Sequence, residues 1–61
     1  MYLMFEHEVN DNDTLVAKKN KKYNVKNIRL VNGKQNYSFI AEDNKETYVY
    51  KCDNFKFKLE G

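Results

Sequence analysis

The sequence predicts a small all-β domain, and three observations carry that prediction. Strand-length runs with apolar residues at period two recur along the chain, clearest in residues 2–9, where Leu3, Phe5, His7 and Val9 share one face. The pair Asn32-Gly33 stands between two such runs and supplies the two positive-φ positions of a type I′ hairpin turn. No window holds a helical stripe: Asp13 to Lys22 offers Leu15 and Val16 and then only Ala, Lys and Asn, so a helix there has no buried face beyond one turn.

The elements follow in order. Residues 2–9 form the first strand, and an acidic loop from Glu8 to Asp13 leads to a short strand in which Leu15 and Ala17 share a face. From Tyr23 to Val31 the parity changes, Tyr23 and Val25 giving way to Ile28 and Leu30. A bulge near Asn27 would let both pairs face one core. Tyr37 to Ala41 returns from the Asn-Gly turn, Glu42 to Lys45 makes a second tight turn, and Thr47 to Lys51 continues as a strand. Cys52-Asp53-Asn54 reads as a short turn, and Phe55, Phe57 and Leu59 alternate in a last strand. Five or six short strands cannot make two full sheets at this length. A small, partly open barrel in one domain, residues 1–61, is the economical arrangement, and closure limits the exposed strand edges.

A chain of 61 residues has room for one domain. Charged residues make up 33% and aromatics 15%, so five Tyr and four Phe must supply the core that few Leu and Ala cannot. Burial at about 25 cal/mol per Å² is nearly cancelled by about 1.5 kcal/mol of ordering cost per residue, which leaves little for a strained catalytic pocket. The single Cys52 excludes an internal disulfide, and no apolar run reaches the length of a membrane span. The start, Met1 to Phe5 followed at once by Glu6-His7-Glu8, lacks an export signal, so a cytoplasmic location is expected.

The order of these features resembles the Src-homology-3 (SH3) fold over almost the whole chain. Leu3-Met4-Phe5-Glu6-His7 resembles the opening strand of those domains, Glu8 to Asp13 their long acidic loop, and Leu15 to Val25 their diverging turn, with Asn20 where glycine is usual. Glu42 to Lys45 would be the distal hairpin, and Cys52 to Phe55 the short helical turn before the last strand. The chain departs from the family where it has no Trp at the third strand, no Pro before the helical turn, and His7 in place of a tyrosine. Those groups grip polyproline peptides, so the resemblance implies the fold without that ligand.

Charge is segregated along the chain. Glu6, Glu8, Asp11 and Asp13 crowd the acidic stretch, whereas Lys18, Lys19, Lys21, Lys22, Lys26, Arg29 and Lys34 follow with no acid among them. The lysine run reads either as a solvated turn that keeps a small barrel soluble or, through Lys18, Lys19, Lys21, Lys22, Lys26 and Arg29, as a nucleic-acid surface. The ten-to-one excess of Lys over Arg and the nine Asn match a genome rich in adenine.

Site chemistry is sparse. One His, one Cys and scattered carboxylates lack metal-ligand spacing, and neither a nucleophile–base pair nor a phosphate loop is present, so no cofactor, metal or enzymatic activity is expected. Some of the nine aromatics must be exposed, since Tyr48 and Tyr50 fall on a parity opposite to Val49. Phe5, His7, Tyr37, Tyr48 and Tyr50 are therefore the candidate protein-binding residues. The resemblance extends to small barrels of bacteria, prophages and mobile elements. It implies an accessory or inhibitory protein that binds a host or defence protein; the nucleic-acid surface and a self-assembling homodimer are the alternatives.

Overall fold

The computed structural model describes residues 1–61 and is all-β. Eight strands, β1 (Tyr2–Phe5), β2 (Val9–Asp11), β3 (Thr14–Ala17), β4 (Lys22–Asn24), β5 (Ile28–Val31), β6 (Lys34–Ile40), β7 (Glu46–Val49) and β8 (Phe57–Glu60), form three small antiparallel sheets. Their orders are β4-β1-β8, β2-β3 and β5-β6-β7, and the sheets do not close on one another. No element is helical; Cys52 and Phe55 exchange backbone hydrogen bonds across a two-residue turn where the SH3 resemblance implies a helical one.

Five or six expected strands become eight because two of them break. The first breaks at residues 6–8. There Glu6 donates its amide to the Lys56 carbonyl (2.9 Å), and His7 Nε2 accepts from the Lys56 amide (3.2 Å). His7 Nδ1 lies 3.0 Å from the Glu8 carbonyl, so one neutral tautomer satisfies both ring nitrogens. The expected acidic loop is largely strand: β2 runs straight into a two-residue turn at Asn12-Asp13 (φ 48° and 68°) and returns as β3. Along this hairpin Val9 faces Ala17 and Asn10 faces Leu15, which leaves Val16 as a bulged residue. The bulge turns Val16 inward, so Val16 and Ala17 are both buried and Leu15 is not the inward partner that period two predicts.

The second break lies between β4 and β5. Lys26 and Asn27 both oppose Ser38: the Lys26 amide donates to the Ser38 carbonyl (2.8 Å), and the Ser38 amide donates to the Asn27 carbonyl (2.9 Å). The Asn27 amide is left for Ser38 Oγ (3.0 Å), which in turn donates to Glu46 Oε2 (2.7 Å). This is the bulge expected near Asn27, but its effect is the opposite of the one expected. It carries the chain out of the β4-β1-β8 sheet, and Ile28 and Leu30 project beyond the core, 48% and 73% exposed.

The core is an aromatic cluster centred on Phe5. Its ring lies 5.5 Å from those of Phe39 and Phe57 and 6.3 Å from that of Tyr23, with Leu3, Val9, Val49 and Ala41 filling the gaps. The edge-to-face and tilted pairings are those that aromatic quadrupoles favour. The Tyr23 hydroxyl accepts from the Lys18 amide (2.7 Å) and donates to Glu42 Oε2 (2.6 Å), which also takes Lys21 Nζ (2.7 Å). Four asparagines, Asn12, Asn20, Asn32 and Asn44, sit at positive φ, and Asn32-Gly33 makes the expected turn (φ 50° and 76°). With two glycines in the chain, asparagine is the next residue that tolerates this conformation.

Two predictions follow from this packing. Ser38→Ala takes the hydroxyl away from the Asn27 amide and the Glu46 carboxylate and should cost about 0.5–1.5 kcal/mol in urea unfolding; Ile40→Ser, on an exposed site, should stay within about 0.5 kcal/mol. Stability should also fall on both pH limbs. Hydrogen bonds from Lys21 and Tyr23 hold Glu42 below its ordinary value of 4.5, and those from Ser38 and Asn27 do the same for Glu46. Their contribution is complete above that value and is lost as pH falls toward the folded-state values. Burial and the Glu42 hydrogen bond push Tyr23 up from 10.0 to about 12. Its contribution is complete below 10.0 and is lost as pH rises to about 12, so Tyr23→Phe should shrink the alkaline loss read from urea midpoints.

Candidate functional site

The molecule has one cavity, about 190 Å³, between the β2–β3 hairpin and β7. It exists because β7 pairs only with β6, leaving its other side open toward a hairpin that belongs to a different sheet. Val9 and Asp11 of β2, Val16 of β3, Tyr48 and Val49 of β7, and Phe55 wall it. The floor is apolar because the Val16 bulge and the Val9 and Val49 side chains close it from below, and Tyr48 and Phe55 are half-buried at its margins. Asp11 stands at the rim, and Glu8 and Asp13 are exposed on the same hairpin. Asp11 is the one charged residue of the lining.

Tyr48 is held from behind. The Arg29 guanidinium lies over its ring at 4.3 Å from the centroid and donates from Nη2 to its hydroxyl (3.1 Å). Farther along the same side, Lys34 Nζ lies 4.7 Å from the centre of the Tyr50 ring. A planar guanidinium on an aromatic face limits the rotamers of both side chains, so Tyr48, one of the residues lining the groove, is held in place.

The candidate protein-binding residues scatter. Tyr48 lines the groove; Tyr50 is exposed just beyond β7; Tyr37 is half-buried with its ring 6.0 Å from Phe57. Phe5 is wholly buried and offers nothing to a partner, because period two places it inward with Leu3 and the core needs its ring. His7 is half-buried and committed to Lys56 and Glu8, as a histidine opening a loop. The groove residues Val9, Asp11, Val16 and Phe55 are not singled out by the sequence as binding residues. The one available signal is that Phe55 adds an aromatic next to the Cys52–Asn54 turn, where a core strand has not yet begun.

The basic run is only partly free. Lys18, Lys19, Lys21, Lys22, Lys26 and Arg29 are all exposed, but Lys21 pairs with Glu42 (2.7 Å), Lys22 with Glu60 (3.2 Å), and Arg29 is occupied by Tyr48. Lys18, Lys19 and Lys26 form no ion pair. No group of three or more His, Cys, Asp or Glu side chains is gathered, and Cys52 is a free, half-buried thiol. No helix is long and apolar enough to cross a membrane. Comparisons of the chain with protein-family models, with curated proteins and with solved structures found no match.

The Arg29–Tyr48 stack is directly measurable. Arg29→Lys keeps the charge but loses the flat, hydrogen-bonded contact, and should cost about 0.5–1 kcal/mol in urea unfolding. Tyr48→Phe, which keeps the stack and loses the hydroxyl, should cost less.

Proposed function

We propose that the chain is a small non-enzymatic protein-interaction module whose groove receives a short extended segment of its partner. One observation carries this reading: a largely apolar cavity with an Arg29-stacked tyrosine and a half-buried phenylalanine among its lining residues also has the exposed Asp11 carboxylate in its lining, with the exposed acids Glu8 and Asp13 close by in the chain. Such a site favours an apolar side chain next to a positive charge, aromatic groups supplying contact area and the carboxylates orientation. The fold reading that accompanies it is a small barrel of SH3 type. It is supported by the strand order, in which β1 joins β4 and β8 while β5, β6 and β7 form a second sheet and the β2–β3 hairpin lies apart.

By its resemblance to small mobile-element barrels, the partner is a host or defence protein in the cytoplasm and the effect accessory or inhibitory. Nucleic acid is the lesser reading, because the pairing of Lys21 and Lys22 with acids reduces the charge that phosphates would meet.

The test is capture of partners from lysate on the immobilised chain after nuclease digestion. A single protein should be retained by the parent chain, lost with Tyr48→Ala or Phe55→Ala by at least about tenfold, as for an interface hot spot, and kept with Lys18→Gln/Lys19→Gln. Retention that disappears with nuclease, or that follows the lysines and ignores Tyr48, would transfer the function to the basic surface.

A further inference from the structure

We infer that the β5–β6 hairpin of one copy docks into the groove of another, so that the chain assembles head to tail. The inference rests on the groove reading above and adds an occupant to it, namely a second copy of this chain. The edge of β5 is open, since β5 pairs only with β6. Asn27 and Ser38 are bonded to each other, so by alternation Arg29 and Val31 turn their backbone groups toward β6. Ile28 and Leu30 then direct theirs outward. Three apolar side chains are exposed on this one strand: Ile28 (48%), Leu30 (73%) and Val31 (42%). No proline blocks the edge, and its one charged residue, Arg29, is drawn back over Tyr48. An apolar edge of this kind is a template for association.

Complementarity selects the groove as its receptor. The hairpin from Ile28 to Tyr37 carries Arg29 and Lys34 and no acid, whereas Asp11 lines the groove and the only other charges from residue 8 to residue 14 are the exposed acids Glu8, just before β2, and Asp13, in the β2–β3 turn. A cavity of about 190 Å³ exceeds the roughly 150 Å³ that encloses a benzene ring, so a leucine side chain fits. The donor strand β5 and the groove wall β7 are opposite edges of one sheet, about 10 Å apart at ordinary strand spacing, and a chain cannot fill its own groove. Different patches meet, so the contact is heterologous and leaves a free groove at one end and a free hairpin at the other.

Mixing two blocked variants tests this. Leu30→Asp removes the donor and leaves the groove; Asp11→Lys reverses charge at the groove and leaves the donor. Both positions are exposed, and circular dichroism checks the fold; Leu30→Ser and Asp11→Asn serve as milder replacements. Light scattering up to about 1 mM, a range that detects association of about −4 kcal/mol, should show the parent chain growing past a dimer, less so in high salt. Each variant alone should be monomeric, and their mixture should stop at a one-to-one pair. A monomeric parent chain, a parent that stops at a dimer, or blocked variants that fail to pair when mixed would overturn the inference. The two readings fail separately: a monomeric chain whose partner capture still depends on Tyr48 loses only the self-docking, and self-assembly without such capture loses only the foreign partner.

Discussion

Ser38 is the constraint on which the architecture turns. It is the one buried polar residue, and it gathers the Lys26 amide, the Asn27 carbonyl and amide, and the Glu46 carboxylate around its backbone and hydroxyl. Glu46 accepts a further bond from the Asn27 side chain (3.0 Å), so no buried polar side-chain atom is left without a partner. Two residues opposite one force the strand to bend, and the bend transfers the chain from the sheet of β1 to the sheet of β6. A fully satisfied polar cluster favours this geometry, because another register would take these partners from the buried Ser38.

Several features of the molecule descend from that bend. It sends Ile28 and Leu30 past the core, places Arg29 where its side chain reaches Tyr48 across β6, and leaves β7 as the far edge that faces the β2–β3 hairpin. The aromatic cluster around Phe5 supplies the cohesion, but it is indifferent to which surface is left open. Hydrogen bonding at Ser38 decides that, and the groove is its consequence.

Local conformation was legible in the sequence wherever one residue type has a backbone reason to be there. Asn32-Gly33 and Asn20 take the positive φ that the turn chemistry and the diverging-turn resemblance require, and Leu3, Phe5 and Phe57 face inward as period two demands. What was not legible depends on partners far along the chain. Nothing near His7 announces that residue 56 will bond it and end the first strand, and nothing near Val16 announces a bulge. Parity likewise treats Ile28 and Leu30 as core residues, since apolarity does not say whether the opposite layer extends far enough to cover them. The candidate site was half visible for the same reason. Tyr48 follows from alternation, whereas Val9, Asp11 and Phe55 become neighbours of it only through the placement of two separate sheets.

The central claim is that partners meet this chain at the groove, and a photo-crosslinking amino acid tests it most directly. Placed at position 55, at the groove margin, and separately at position 19, on the lysine turn, it reports contact without weakening binding through charge. The account predicts a discrete crosslinked protein from position 55 and none from position 19. Crosslinks from position 19 alone would contradict it and place the interaction on the basic surface.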